Sequence, residues 1–507
     1  MESLALLGQG LIAVLSPINL AILVLGLVLG LLAGVLPGLT IVMGVVLALP
    51  FTYGLGILPA IILLTAMYIA GTYGGAFTAI LFKIPGEPLD VPLLWDGYPM
   101  ARQGNPALAL GWTLVAALGG GLVAAVAMVL IAQPVAKIAL MLSSPEYLAI
   151  IIFGLASVIC LGNASLAASL ISLALGLLIA TVGTDSTYGA ERFTFGIPIF
   201  IDGIEYLAVM VGVYGLAEIL NRLQTGETQS KIQTTSGLST QFPTLREMRG
   251  MKGTFARSSV LGFVVGLVPG AGATIASFLS YGVEAQYGKR KDRLGTGVPE
   301  GIVAPQAAAT ASVGGAMVPL LTMGIPGSGA TAIILGAFLL HGVQPGPNVF
   351  FNSGSLIYTI FAAVFVAVIG MCVIGFFAAR LLVKVLDFPE PIVTAFVVMF
   401  CFLGAFAARN SVHDLWVIVG FGVLGLLMEK YRFPIAPLVL GTILGPLAES
   451  NFMTMMISNS NDWTVLFTRP ISGVIMGITA VALAYPLLDG WFSRRRAARH
   501  AKVVTHA

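Results

Sequence analysis

Runs of about twenty apolar residues recur along the whole chain, and they limit the fold more than any other feature. A helix that spans a bilayer needs about 20 such residues. The runs cover roughly 18–36, 57–82, 107–133, 147–161, 164–182, 204–220, 258–268, 302–321, 329–342, 355–383, 392–407, 412–428, 433–447 and 471–488. The chain is 58% hydrophobic and only 9% charged, whereas soluble globular proteins carry about 25% charged residues. The sequence therefore predicts an all-α polytopic membrane protein.

The charge of the chain indicates topology rather than a nucleic-acid partner. The net charge of +3 is too small to suggest binding to nucleic acid. The basic residues concentrate at the end of the chain, where they follow the last apolar run: Arg494, Arg495, Arg496, Arg499 and Lys502. Because positively charged flanks favour the cytoplasmic side, we expect the C-terminal tail to be cytoplasmic.

The two sides of a polar stretch in the middle of the chain match each other in order. The matches are Leu36-Pro37-Gly38 with Val268-Pro269-Gly270, Gly74-Gly75 with Gly314-Gly315, Pro85-Gly86 with Pro326-Gly327, Pro145-Glu146 with Pro389-Glu390, and Ala217-Glu218 with Ala448-Glu449. All five have offsets between 231 and 244 residues. We interpret them as a tandem duplication.

The duplication predicts the domain organisation. The first membrane repeat covers 1–220, a polar basic linker covers 221–255, and the second repeat covers 256–452. A loop with an extra transmembrane helix follows at 453–490, and the basic tail is 491–507. The extra helix brings the tail back to the side of the basic linker if each repeat crosses the membrane an odd number of times. This arrangement favours inverted repeats.

Glycine and proline interrupt the apolar runs at corresponding places in the two halves. Such interruptions are typical of secondary transporters, in which broken helices expose backbone groups to a substrate or ion. We therefore predict helix breaks at Gly74-Gly75 and Gly314-Gly315. Close packing of helices is the alternative use of such glycines.

Small polar residues near these breaks suit an anion, because free N–H groups at a half-helix N-terminus carry partial positive charge. The predicted substrate-binding residues are Gly38, Thr40, Thr72, Gly74, Gly75, Gly270, Gly272, Thr274, Ser312, Gly314, Gly315 and Ser328. The predicted hairpin turns contain Pro37, Pro85, Gly86, Pro269, Pro326 and Gly327. For any single hydroxyl, a bond to its own helix is the alternative.

The charged residues beside the breaks are expected to be solvated. Lys83, Glu87, Asp90, Asp96 and Arg102 follow the first break, and a hairpin end with its loop explains them, although gating or binding is an alternative. A similar solvated loop is predicted for Glu284 and for Lys289 to Arg293.

Two long stretches resemble a known family. GTYGGAFTAILFKIPGEP followed by DGYPMARQGNPALALG resembles the first signature of the large membrane subunit of tripartite tricarboxylate transporters. GLVPGAGATIASFLSYGVE and PEGIVAPQAAATASVGGAMVPLLTMGIPGSGATAIILGAFLLHGVQPGP resemble its second signature. The resemblance covers nearly the whole chain in length and order.

The resemblance implies a cation-driven secondary transporter of the bacterial inner membrane. It also implies a smaller membrane subunit, a periplasmic solute-binding protein that delivers a carboxylate, and kinship with elevator-type transporters. The family usually has Ala-Pro-Glu and Ala-Asn-Asn-Ala where this chain has Ala304-Pro305-Gln306 and Ala308-Ala309-Thr310-Ala311. Gln306 and Thr310 still offer neutral oxygens, so we predict that they bind the coupling cation.

The sequence thus predicts import of a di- or tricarboxylate coupled to sodium or protons. A carboxylate or anion channel is the alternative, although no charged ring that would form a filter is evident. We expect no enzyme activity, no cofactor and no metal apart from a coupling sodium ion. The nearest candidate for an enzyme site is Asp185, beside Thr184 and Tyr188 at an expected helix end. Whether the chain forms a homodimer is left open.

Overall fold

The computed structural model describes residues 2–36, 39–83, 85–161, 165–185, 189–197, 200–225, 240–270, 272–385, 394–395, 398–399, 401–403, 406 and 411–484. Helices form nearly all of the regular structure in this part of the chain. The Pro389-Glu390 match, most of the polar linker and the basic tail lie outside the described residues.

The helices fall close to the apolar runs. Their bounds are α1 Glu2–Val14, α2 Pro17–Val35, α3 Ile41–Ala48, α4 Ile57–Gly74, α5 Ala76–Phe82, α6 Val91–Arg102, α7 Pro106–Leu140, α8 Ser144–Leu161, α9 Leu166–Ala180, α10 Tyr206–Met210, α11 Ala217–Thr225, α12 Leu245–Gly250, α13 Lys252–Leu267, α14 Gly272–Tyr287, α15 Glu300–Met323, α16 Gly329–Leu340, α17 Pro347–Asn352, α18 Gly354–Val385, α19 Val412–Lys430, α20 Ile435–Ser458, α21 Val465–Thr468 and α22 Pro470–Ala484. A π-helix covers Val211–Leu216, and short 3-10 helices cover Leu49–Gly54, Pro88–Asp90 and Lys291–Arg293. The strands β1 Gly183–Thr184 and β2 Glu191–Arg192 form an antiparallel pair.

Seven helices of the described chain are long and apolar enough to cross a membrane. They are Pro17–Val35, Ile57–Phe82 (α4 with α5), Pro106–Leu140, Glu300–Met323, Gly354–Ala378, Val412–Lys430 and Ile435–Ser458. Shorter apolar helices such as α3 and α16 cannot span a bilayer alone, because each residue adds only about 1.5 Å of length. The chain is therefore a helical membrane protein with interrupted segments.

The chain divides into two compact units, and each unit takes a piece from both halves of the sequence. The first consists of Met1–Leu140 with Glu205–Leu427, and the second of Met141–Ile204 with Met428–Ala507. In the second unit, Arg192 on β2 donates two hydrogen bonds to the Glu449 carboxylate, at 2.5 and 3.0 Å. The predicted domain boundaries stay a prediction.

In the first unit, α15 packs against α7, α13 and α14, and α2 packs against α4. The residues of α15 from Glu300 to Thr322 are all buried, so protein surrounds this helix on every side. This helix and α4 carry several of the predicted site residues, among them Thr72, Gln306 and Thr310.

Glycines spaced four residues apart bring α2 onto α4. A Cβ on Gly30 would meet the Met67 carbonyl oxygen, and one on Gly34 would lie 2.9 Å from the Gly74 Cα. Such spacing is typical of close contacts between membrane helices, where small residues let the two backbones approach. Because these glycines have no side chains, the backbones of α2 and α4 pack closely against each other.

The same contacts recur between α13 and α15 with constant offsets. Positions on α2 and α13 differ by 232, and positions on α4 and α15 differ by 241. A Cβ on Gly262 would meet the Ala308 carbonyl oxygen, as one on Gly30 would meet that of Met67. A Cβ on Gly315 would lie 3.0 Å from the Gly266 Cα, and one on Gly74 would lie 3.0 Å from the Gly34 Cα.

This correspondence shifts one predicted match by a residue. The structure pairs Gly74 with Gly315 and Gly75 with Ala316, whereas the sequence pattern suggested Gly74-Gly75 with Gly314-Gly315. The expected break at Gly314-Gly315 is wrong, because α15 continues through both residues. These glycines serve close packing instead: a Cβ on Gly314 would lie 2.8 Å from the Ala124 Cβ. At Gly75 the helix is interrupted for one residue, with φ −67° and ψ −17°.

Candidate functional site

Turns between short helices place most of the remaining predicted residues in two clusters. The first tip comprises Lys83–Asp90, except Ile84, and the start of α3 at Thr40 and Ile41. The second tip comprises Gly324–Thr331, Val268–Gly270 and the start of α14 at Gly272. Pro37 and Gly38 lie outside the described residues, so their predicted roles stay predictions.

The second tip is closed by a contact between its two turns. The Gly270 N–H donates a hydrogen bond of 3.0 Å to the Gly327 carbonyl oxygen. Gly270 has φ +81° and Gly272 has φ +59°, and both values lie in the left-handed region that favours glycine. The predicted turn residues Pro269, Pro326 and Gly327 thus lie between helices.

Hydroxyl groups surround the start of α16 in the second tip. The Ser328 and Tyr68 hydroxyls lie 3.0 Å apart, and the Thr331 hydroxyl accepts from the Ser328 N–H at 2.7 Å. A Cβ on Gly272 would lie 3.8 Å from the Ser328 Cβ, so the starts of α14 and α16 are neighbours. A Cβ on Gly329 would lie 3.8 Å from the Tyr214 hydroxyl.

The first turn of α14 has backbone donors that no side chain of the described residues caps. Within the described residues, no side chain accepts a hydrogen bond from the backbone N–H groups of Gly272, Ala273 or Thr274. The Thr274 side chain is half-buried. Unpaired N–H groups at a helix start attract an anionic oxygen, because the helix dipole adds partial positive charge there.

The first tip has the same backbone arrangement but carries carboxylates. The Asp90 Oδ2 accepts from the Glu87 N–H at 2.9 Å, as the Thr331 hydroxyl accepts from the Ser328 N–H. Glu87 and Asp90 lie 241 positions before Ser328 and Thr331. The Glu87 Oε1 accepts from the N–H of Ile41 and so covers the start of α3.

The first-tip turn is as crowded as its counterpart. A Cβ on Gly86 would lie 2.5 Å from the Gly75 Cα, and one on Gly327 would lie 2.7 Å from the Ala316 Cα. Pro85 precedes Gly86 in the turn after α5. The Thr40 hydroxyl caps α3 and accepts from the Met43 N–H at 3.1 Å.

The expectation that the charges after the first break are solvated is wrong for three of them. Glu87, Asp90 and Asp96 are all buried. Asp96 accepts hydrogen bonds from the N–H groups of Gly295, Gly297 and Val298 and from the Tyr281 hydroxyl, which satisfy its charge. Lys83 is exposed and lies over the Tyr98 ring.

The predicted loop at Glu284 is also corrected. Glu284 is buried on α14 and pairs with Arg257 of α13, whereas Lys289 to Arg293 are exposed as expected. Arg257 compensates the buried charge of Glu284, and this pairing explains how a carboxylate is tolerated on this helix.

The two residues predicted to bind the cation lie together with Thr72. The Gln306 Nε2 donates to the Thr72 carbonyl oxygen at 3.0 Å and to the Thr310 hydroxyl at 3.2 Å. The Thr72 and Thr310 hydroxyls lie 3.4 Å apart. The Gln306 Oε1 is buried without a hydrogen-bond partner, so it is an available neutral oxygen.

Three other predicted residues lie apart from the tips. Ser312 donates to the Ala309 carbonyl oxygen of its own helix at 2.7 Å. Gly314 and Gly315 contact α7 and α13 through the close approaches described above. These three residues therefore have packing roles in the structure.

Sequence reasoning missed Tyr68, Tyr214, Glu87 and Asp90 as members of these clusters. A signal for the acidic pair was available, since Glu87-x-x-Asp90 follows Pro85-Gly86 as Ser328-x-x-Thr331 follows Pro326-Gly327. Both have the spacing of a capping box. The tyrosines gave no local signal, because long-range packing brings them to the tips.

A separate cavity of about 430 Å³ lies near the start of α15. It is lined by Trp112, Arg246, Glu247, Gly250, Met251, Lys289, Arg290, Pro299 and Glu300. Hydrogen bonds from Thr244 lower the pKa of Glu247 below its ordinary value. No predicted site residue lies in this cavity.

The chain matches a known protein family over a region that contains both tips. A family model described as "Tripartite tricarboxylate transporter TctA family" matches residues 20–440. The chain belongs to this family. The matched residues include both tips and the cluster of Thr72, Gln306 and Thr310. Membership of the TctA family means that the chain is the membrane component of a tricarboxylate-type transporter.

Two relatives from Agrobacterium vitis agree with this assignment. One is described as "Uncharacterized 52.8 kDa protein in TAR-I ttuC' 3'region" and is 33% identical over 495 residues, which are 98% of this chain and 98% of the relative. The other, "Uncharacterized protein in TAR-II ttuC' 3'region", is 34% identical over 234 residues, which are 46% of this chain and 97% of the relative. No solved structure matches the chain.

Proposed function

We propose that this TctA-family protein imports small organic anions, di- or tricarboxylates, together with a coupling cation. The observation that carries the proposal is the second tip. Two helix starts meet there, and they bring together hydroxyl groups and backbone N–H groups that no side chain of the described residues caps.

The second tip suits one end of a carboxylate substrate. The N–H groups in the first turn of α14 can donate to a carboxylate oxygen, and the Ser328 and Tyr68 hydroxyls lie beside them. The absence of a Cβ at Gly270 and Gly272 lets the backbone approach the anion. A second or third carboxylate of the substrate would extend toward Tyr214 and the start of α16.

The coupling cation is sodium or a proton. The cluster of Thr72, Gln306 and Thr310 supports a site for sodium, because a carbonyl, an amide and hydroxyls supply neutral oxygens within a few ångströms of one another. Freed carbonyls and hydroxyls near broken helices hold sodium in other secondary transporters.

We propose that the chain contains two inverted repeats, whose relative movement gives alternating access. The constant offsets in the contacts of α2 with α4 and of α13 with α15 support an internal duplication. Inversion rests on the extra helix and the basic flanks. Rigid movement of the tips relative to a scaffold, as in elevator-type transporters, would expose the substrate to each side in turn.

The family description supports our proposals for the partner proteins and for the cellular location. A tripartite transporter requires two further components, which we assign as a smaller membrane subunit and a periplasmic solute-binding protein. The protein would lie in the bacterial inner membrane with its C-terminal tail in the cytoplasm. Transport by this arrangement requires no enzymatic step.

Uptake into proteoliposomes tests the proposal. The protein is reconstituted with its small subunit and binding protein, and radiolabelled di- and tricarboxylates are offered with an inward sodium or proton gradient. We expect gradient-dependent accumulation of at least one anion. Passive equilibration would indicate a channel, and no flux under either gradient would contradict the proposed substrate class.

A matched pair of variants tests the second tip. Ser328→Ala removes a hydroxyl, and we expect the KM for the anion to rise about fivefold, since a hydrogen bond contributes about 1 kcal/mol. Thr113→Val is the control, because the Thr113 hydroxyl bonds only to Ala109 of its own helix. An unchanged KM in Ser328→Ala would contradict this placement of the substrate.

A further inference from the structure

The first tip contains a buried acidic pair, Glu87 and Asp90. Glu87 is 9% exposed and Asp90 is 1% exposed. The Asp90 Oδ2 and the Glu87 Oε1 each accept a backbone N–H, from Glu87 and Ile41 respectively. The Asp90 Oδ1 is buried and has no hydrogen-bond partner among the described residues.

No basic side chain of the described chain pairs with these two carboxyls. The charged and titratable groups on the elements around them have other partners: Lys83 lies over Tyr98, Asp96 binds Tyr281 and the 295–298 backbone, Glu284 pairs with Arg257, Glu300 pairs with Arg290, and Tyr68 bonds to Ser328. Helices α2, α3 and α5 carry no charged residue. No positive charge of the described residues therefore neutralises the pair.

Two neighbouring carboxylates cannot both remain ionised in a buried site without a cation. Burial and mutual repulsion each favour the neutral form of at least one of them. An ionised Asp90 would in addition leave a buried oxygen unsatisfied, which is costly. The site must therefore hold a positive charge during part of the transport cycle.

The arrangement of oxygens favours a proton over a metal ion. Among the acceptors close to Asp90, the Gly75 carbonyl oxygen already accepts from the Thr78 hydroxyl and the Ala79 N–H. Among the described side-chain atoms of the first tip, Asp90 Oδ1 is the buried oxygen without a hydrogen-bond partner. In the described chain no group of three His, Cys, Asp or Glu residues could hold a metal.

The backbone beside Asp90 is adapted to this carboxyl. A Cβ on Gly75 would collide with Asp90 Oδ2, and Gly75 is the residue where α4 is interrupted before α5. The corresponding residues in the second tip are Ala316 and Thr331, and there a Cβ is present opposite a hydroxyl. The combination of Gly75 with Asp90 in the first tip is thus replaced by Ala316 with Thr331 in the second.

We propose that the Glu87–Asp90 pair binds the proton whose movement is coupled to that of the anion. With a proton bound, the pair is compatible with burial, and Glu87 holds the start of α3. When the proton leaves, repulsion between the two carboxylates weakens the contact between Glu87 and Ile41. The start of α3 lies against the second tip, since a Cβ on Gly329 would be 3.3 Å from the Val42 side chain, and this contact connects the pair to the proposed anion site.

Infrared spectroscopy of the purified full-length protein tests proton binding without any transport assay. At neutral pH we expect the C=O stretch of a protonated carboxylic acid, and we expect Asp90→Asn or Glu87→Gln to remove or shift it. Asp96→Asn is the matched control, because Asp96 is buried on α6 and its charge is satisfied by four donors. An acid band that Asp90→Asn and Glu87→Gln both leave unchanged would overturn the proposal.

Alkaline titration of the wild-type protein decides the question if the variants do not fold. Loss of the acid band on raising the pH, with a matching gain in carboxylate absorption, supports a titrating pair. A spectrum with no acid band at neutral pH would overturn the proposal.

Coupling itself rests on the proposed function and is tested by comparing two transport modes. In proteoliposomes whose membrane potential is held at zero, a pH gradient should drive about tenfold accumulation per pH unit in the wild type if one proton moves with each anion. Asp90→Asn should lose this accumulation but retain exchange of labelled for unlabelled anion at equal pH. Accumulation driven by sodium alone, and unchanged in Asp90→Asn, would overturn the proton assignment while leaving the anion transporter intact.

Discussion

The two tips share one backbone arrangement and differ in their chemistry. In each, a turn with a crowded glycine precedes a helix whose first N–H donates to a side chain three residues on. The first tip uses Glu87 and Asp90 for this motif, and the second uses Ser328 and Thr331. The duplication therefore kept the geometry while the two sites diverged.

The difference assigns opposite electrostatic roles to the tips. In the first tip, the Glu87 carboxylate covers the start of α3. In the second, Ser328 is too short to cover α14 in this way and bonds to its own helix and to Tyr68. The first tip thus carries its own negative charge, and the second leaves helix N–H groups for an external one.

The largest effect is expected from Gly270→Val in the second tip. Valine at φ +81° is strained, because its β-branched side chain clashes with the backbone in the left-handed region. The contact between the two turns should be lost and uptake abolished, while the protein still inserts into the membrane. Uptake assays and immunoblots of membranes measure the two effects.

Gly282→Val on α14 is the control for this substitution, because a Cβ on Gly282 would meet nothing within 4 Å. It should retain uptake. Normal uptake by Gly270→Val would show that transport does not require the second tip, and it would contradict the roles assigned to the two tips.

A smaller and symmetric effect is expected where the halves pack alike. Gly30→Ala and Gly262→Ala each place a Cβ against a carbonyl oxygen, of Met67 and Ala308 respectively. Overpacking of this kind costs about 1–3 kcal/mol. Thermal unfolding in detergent should show similar losses of stability for both variants, and destabilisation by only one would break the structural equivalence of the two helix pairs.

The smallest effects are expected from exchanging residues between the tips. Gly75→Ala should displace the Asp90 carboxyl and reduce proton-driven uptake. The reciprocal Ala316→Gly removes a methyl from the interior of α15 and should cost about 1 kcal/mol of stability without a change in pH dependence. The pH profile of uptake and the unfolding temperature distinguish the two; equal changes in both variants would contradict the asymmetry.

The helical membrane class and the turn positions could be predicted from sequence, because both depend on local composition. Apolar runs locate the helices, and Pro-Gly pairs locate the ends of α5 and α15. The break at Gly314-Gly315 was wrong for a physical reason. Paired glycines give the same pattern whether they end a helix or let another helix approach, and only the presence of α7 and α13 decides between these.

The burial of Glu87, Asp90 and Asp96 could not be read from local sequence either. A charged residue after a hydrophobic segment is usually solvated, and its burial depends on partners more than 40 positions away, such as Ile41 and Gly295. Aligning the two halves would have placed Glu87 and Asp90 opposite Ser328 and Thr331. Internal comparison therefore carries information that single-segment patterns lack.

The complete enclosure of α15 by protein has a consequence for biosynthesis. The mean hydropathy of an 18-residue window is 1.2 in α15, compared with 2.8 in Gly354–Ala378, so α15 is the less apolar of these two helices. Helix α7, its main neighbour, precedes it in the chain and is inserted first during synthesis. The packing surface that α7 offers is therefore synthesised before α15.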